Sequence, residues 1–145
     1  MSDLKDTVER MLAVYNRHDG AGFASYFTHD GVLRVVATGE VNEGREQIQA
    51  GMEERWRMLD YTLEPRGFYE CGEDVWLEWT MTGTHVGEWM GIPPTHRRVE
   101  GLLGCSHYTF GADGLIAQDD VYFDSATMMR QLGLLAEPEA ALPSP

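Results

Sequence analysis

Scarce cysteine, scarce positive charge and the lack of any long apolar run set the first limits on this 145-residue chain. Its two cysteines, Cys71 and Cys105, match no zinc pattern, and a chain of this size does not need a covalent staple, so both are read as free thiols. No stretch approaches the roughly 20 apolar residues of a membrane-spanning helix. The opening MSDLKDTVER has no basic segment followed by an apolar one, so export is not expected and a cytoplasmic location is. Only 11 Lys and Arg stand against 24 Asp and Glu, for a formal charge of -13. Such a field repels phosphates, which excludes nucleic acid and anionic membrane as partners and leaves a neutral or cationic small molecule, or another protein. What is present is ordinary for a globule: 43% hydrophobic and 24% charged residues, enough for one domain with a sizeable core.

Leu4, Val8, Met11, Leu12 and Tyr15 recur at helical spacing behind Ser2, a suitable N-cap, and predict a first amphipathic helix. DGAGFASYFTHDG reads as a short second helix packing Phe23, Tyr26 and Phe27, ended by a turn at Asp30 and Gly31; VLRVVAT follows as a strand. Ile48, Met52, Trp56 and Leu59 mark a third helix from Gly44 to Leu59. The period then changes. YTLEPRGFYEC, DVWLEWTMTGTHVGEWM, HRRVEGLLGCSHYTF and LIAQDDVYF are aromatic and β-branched segments separated by Gly- or Pro-containing turns, so four consecutive antiparallel strands are expected. SATMMRQLG closes the fold as a helix capped by Asp124 or Ser125 and stopped by Gly133. Residues 1–135 form the domain, and 136–145 read as a loose Pro-rich tail. Helices followed by a strand meander make an α+β fold whose helices cover one face of a curved antiparallel sheet, and long coiled strands turn that face into a cone able to hold a ligand.

This order, with GTHVGEWMGIPPTHRRV (Gly83 to Val99), DGLIAQDDVYFD (Asp113 to Asp124) and MMRQLGLL (Met128 to Leu135), resembles the nuclear transport factor 2 superfamily, in particular its SnoaL-like polyketide cyclase branch. The resemblance implies the cone-shaped fold and a homodimer formed through the outer sheet face. Its functions span cyclases, isomerases, dehydratases, epoxide hydrolases and proteins that only bind. In the cyclases the acid/base aspartate stands three positions before the aspartate ending the last strand, and here that position is Val121. The epoxide hydrolases' additional arginine and aspartate fall on Trp79 and Met81, so a hydrolase is disfavoured. The cyclases' pocket histidine falls on Cys105 or, two residues on, His107.

Alternation in the last strand makes Leu115, Ala117, Asp119, Val121 and Phe123 the more apolar set, so Asp119 is expected inside and Asp120 in solvent. The matching set in the preceding strand contains Val99, Cys105 and His107. A hairpin loop of Ala112, Asp113 and Gly114 sets His107 opposite Asp119; a tighter Asp113-Gly114 turn sets it opposite Asp120 instead. The first register makes Asp119 and His107 the catalytic pair, a carboxyl and an imidazole able to share a proton. Tyr15, Leu33, Met52, Trp56, Trp79, Met81, His85, Cys105, Val121 and Phe123 are the expected lining, suited to a small hydrophobic, cyclic or aromatic carbonyl compound. No cofactor and no metal are called for. Two functions fit: acid/base catalysis in the cyclase, isomerase or lyase range, and simple binding or carriage of such a molecule. Leu102, Tyr108 and Tyr122 are expected on the outer, dimer-forming face.

Overall fold

The computed structural model describes residues 3–135; the Ser2 cap and the tail at 136–145 lie outside the described residues. The order is α1 (Asp3–Asn16), α2 (Gly20–Ala24), β1 (Phe27–Val35), β2 (Glu40–Glu43), α3 (Arg45–Met58), β3 (Leu59–Cys71), β4 (Asp74–His85), β5 (Arg98–Phe110), β6 (Ile116–Phe123) and α4 (Ser125–Gln131). Six strands form one curved, unclosed sheet in the order β2-β1-β6-β5-β4-β3. β3 to β6 pair antiparallel as expected, whereas β1 joins β6 in parallel. The expected second helix is shorter than its apolar content suggested. It ends at Ala24, and Phe27 to Gly31 open β1, where Ile116 donates its N–H to the Tyr26 carbonyl at 2.8 Å. β2 is an additional edge strand, and the fourth strand stops at His85 instead of running to Met90.

The apolar stripes of α1 (Val8, Met11, Leu12, Tyr15) and α3 (Ile48, Met52, Trp56) are buried against the concave side of the sheet. Each such side chain contributes about 1.5–3 kcal/mol by leaving water. Asn16 fixes α1 to β3 by pairing with both backbone groups of Leu63, at 2.8 and 2.9 Å. Asp124 caps α4 through the Thr127 N–H, and Gly133 stands at a φ of 76° after it, both as the sequence implied.

Two irregularities decide which side chains face inward. The loop Ala112 to Gly114 forms as expected, with Gly111 N–H bonded to the Leu115 carbonyl at 2.8 Å. Beyond it the ladder slips: Phe110 faces Ile116 but Thr109 faces Gln118, leaving Ala117 as a bulge. One extra residue moves every later partner by one, so His107 faces Asp120 and Tyr108 faces Asp119. On β5, Gly101 at a φ of 61° makes a second bulge, with Met81 opposite Leu102 and Gly83 opposite Val99. Past it the inward set becomes Leu102, Ser106, Tyr108 and Phe110. Leu102 and Tyr108 are therefore core residues and not outer-face residues, and His107 is on the outside.

Candidate functional site

A chamber opens between the concave sheet, α1 and α3. β1 supplies Leu33, β3 Tyr61 and Leu63, β4 Trp79 and Met81, β5 Ser106 and Tyr108, and β6 Asp119, Val121 and Phe123; the helices add Met11, Leu12, Tyr15, Met52 and Arg55. Eight of the sequence-derived candidates thus meet in one place: Tyr15, Leu33, Met52, Trp79, Met81, Asp119, Val121 and Phe123. Asp119 points inward, with Leu33 beside it on β1, and its Oδ1 is buried with no hydrogen-bond partner among the described residues. Burial pushes its carboxyl well above the ordinary range; the neighbouring Asp120 adds to this and Arg55 opposes it.

Four candidates are elsewhere. His107 lies on the convex face, where its Nε2 meets Asp74 at 2.9 Å and its ring stacks on Trp76 at 4.2 Å. The Ala117 bulge is the physical reason, since it set the imidazole against Asp120 and turned it away from Asp119. Cys105, two residues away on the same outer alternation, borders a shallow groove with Glu78, Leu103 and Tyr122. Burial and then Glu78 raise its thiol pKa, so it is not an activated nucleophile. Trp56 is buried behind the wall, stacked on His18 at 4.8 Å and edge-on to Tyr15 at 5.2 Å. His85 is fully buried at the end of β4, where its Nδ1 accepts the Thr95 N–H at 3.0 Å. Thr95 in turn donates its hydroxyl to the Leu132 carbonyl at 2.6 Å, so the ring is a neutral tautomer clamping the Pro-Pro-Thr loop to the end of α4. Asp120 also departs from expectation: it is buried, held by Arg34 at 3.0 Å and by Gln118.

The polar members of the chamber that the pattern did not place there are Arg55, Tyr61, Ser106 and Tyr108. Arg55 follows Met52 by three residues, on the same stripe of α3, and a cation on an apolar stripe was the available signal. Tyr61 alternates with Leu59 and Leu63 on the inward side of β3. Tyr15 and Tyr61 share a hydroxyl hydrogen bond. Burial, then Tyr61, pushes the Tyr15 phenol well above its usual range, while Arg55 opposes this. Burial disfavours the Arg55 charge, but Tyr61, Tyr15 and Glu40 outweigh it and hold the guanidinium protonated. Ser106 accepts the Trp79 indole N–H at 3.0 Å and fixes that ring against the chamber. Burial and then Asp119 raise the Tyr108 phenol. One carboxyl, one guanidinium and three phenols therefore line an otherwise apolar space. That set can transfer a proton at carbon and stabilise an oxyanion.

Among the described residues no helix is long and apolar enough to cross a membrane. Comparison with solved structures gives the same fold. AclR from Streptomyces galilaeus, provisionally assigned as a hydroxylase, is 25% identical with a TM-score of 0.80, covering 97% of this chain and 87% of its own. TsrD from Streptomyces laurentii is 26% identical with a TM-score of 0.76, covering 93% of this chain and 99% of its own. IdmH from Streptomyces antibioticus, provisionally assigned as a polyketide cyclase, is 24% identical with a TM-score of 0.76, covering 91% of this chain and 99% of its own. No curated protein matches. The family model for SnoaL-like polyketide cyclase matches residues 5–132, and the chain belongs to that family.

Proposed function

We propose that this protein is a cofactor-free acid/base catalyst acting on a small hydrophobic carbonyl compound, in the cyclase, isomerase or dehydratase range. Asp119 is the proton-transfer group. The observation that carries the reading is its inward, buried carboxyl with an unpartnered oxygen, because a buried polar atom without a partner costs about 1–3 kcal/mol of stability. A substrate supplies the missing partner. In the ionised fraction, a carboxyl with a raised pKa is a stronger base than an ordinary carboxylate. It removes a proton from the carbon next to the carbonyl, the electron pair moves onto the carbonyl oxygen, and the Tyr15–Tyr61 phenols support the oxyanion. The proton then returns from Asp119 to the product carbon or oxygen.

The apolar Val121, standing where the family's acid/base aspartate is expected, favours a second reading in which the cone only holds its guest. Asp119→Asn separates the two, since it keeps shape and removes the ionisable group. Catalysis by Asp119 requires turnover to fall by about two to four orders of magnitude in a carbonyl-substrate screen. Unchanged turnover ends the acid/base reading; binding with no turnover on any carbonyl substrate transfers the case to the carrier reading. Two unpaired cysteines support a cytoplasmic setting, and exposed Trp76 and Leu103 on the convex face support a homodimer.

A further inference from the structure

Two spaces meet at a charged wall, the neck between them. Behind the chamber's Arg55 and Phe123, which line both spaces, a vestibule of about 530 Å³ opens between the β1–β2 turn, the end of α3 and α4. Its walls are Met58, Trp89, Met90, Met128 and Met129, an apolar surface that adapts to shape, and its volume is that of a small-molecule site. The neck holds an ion pair: Arg55 Nη2 donates to Glu40 Oε2 at 2.9 Å.

We propose that this neck recognises a carboxylate, so that the substrate is an apolar acid whose carboxylate replaces that of Glu40 on Arg55 while its ring-sized body lies against the vestibule methionines and its carbonyl arm enters the chamber toward Asp119. The proposal rests on the cone being the reaction site. Three observations carry it. First, the two partners are unequally anchored. The Arg55 side chain is 20% exposed and lines the chamber, whereas that of Glu40 is 42% exposed on an edge strand, so Glu40 can leave into water and Arg55 cannot follow. A half-exposed pair contributes little, which makes exchange for another carboxylate nearly neutral. Second, Arg55 is underused: its other hydrogen bond among the described residues runs from Nη1 to the Met52 sulfur at 3.4 Å, and a thioether is a weak acceptor. A carboxylate matches the guanidinium fork with both oxygens, which the single bond to Glu40 does not. Third, Glu40 itself borders the vestibule, and Asn42 Nδ2 supports its Oε1 at 3.2 Å, so a carboxylate already occupies the proposed position. The overall charge of -13 does not prevent this, because distant charges are screened beyond roughly 8 Å at physiological salt and the neck cation is in direct contact.

The test is calorimetric binding of naphthoate and of acetylnaphthalene, which share an aromatic body and differ in charge, to the wild type, Glu40→Gln, Arg55→Met and Asp119→Asn. The expected results are a preference for naphthoate of about tenfold or more in the wild type, naphthoate tightened several-fold in Glu40→Gln with acetylnaphthalene unmoved, and no preference in Arg55→Met. Equal affinities in the wild type, or naphthoate unchanged or weakened in Glu40→Gln, overturn the proposal. Should Arg55→Met fail to fold, the Glu40→Gln comparison decides alone. Asp119→Asn keeps the naphthoate preference, which separates the two readings. Lost preference with Asp119-dependent turnover intact defeats the neck alone, and retained preference with turnover indifferent to Asp119 defeats the acid/base assignment alone.

Discussion

The buried carboxyl of Asp119 makes the stability of the fold depend on pH with a definite sign. In the unfolded chain Asp119 titrates near the ordinary value of about 3.9. In the fold, burial and then Asp120 raise it well above that, with Arg55 opposing. Between the two values the folded state holds one proton more than the unfolded state. Its contribution to stability is therefore fully present below the unfolded pKa and is lost as pH rises through the folded one. The slope is about 1.4 kcal/mol per pH unit within that window. For a domain of this size that corresponds to roughly 5 °C of Tm per pH unit. Asp119→Asn has no such term. Thermal unfolding of both proteins in matched buffers from about pH 5 upward should show the variant gaining on the wild type as pH rises, until a plateau at the folded pKa. Other titrating groups are common to both proteins and largely cancel in the difference. A difference flat in pH, or one that widens toward acid, would refute the claim that Asp119 is buried and unpaired.

His107→Gln should leave turnover within a factor of a few, measured beside Asp119→Asn, since the ring is on the convex face against Trp76 and Asp74; a loss as deep as that of Asp119→Asn would contradict this placement. Gly101→Ala should cost about 1–2 kcal/mol in urea unfolding from the left-handed φ alone, because a Cβ there meets nothing within 4 Å. Gly104→Ala drives a Cβ into the Trp79 ring and should cost about 1–3 kcal/mol while weakening ligand binding, as read by denaturation and indole fluorescence. Sedimentation at micromolar concentration should give a dimer, and Trp76→Glu with Leu103→Glu should give a monomer if the convex face joins two copies.

What the sequence determined by itself was most of what depends on local period. Helical spacing in α1 placed Tyr15 on the buried stripe, the change to alternation after Leu59 placed the sheet, and alternation in β6 placed Asp119, Val121 and Phe123 on one inward face. These follow from geometry each residue carries with it, with a repeat of 3.6 or 2. Even the loop from Ala112 to Gly114 was legible from its glycine. Tertiary structure decided whatever depends on counting across a ladder. The bulges at Gly101 and Ala117 add one residue each, too little to disturb a pattern of apolar residues yet enough to exchange the two faces. They moved His107 and Cys105 outward, brought Ser106 and Tyr108 inward, and broke the expected pair. Arg55 belongs to the same class. On the helix it is one more charged residue, and only the packing of α3 over the open sheet turns it into the cation between chamber and vestibule. A side chain's face is a local property; its partner is set by the register and docking of distant segments, and that is where the site was assembled.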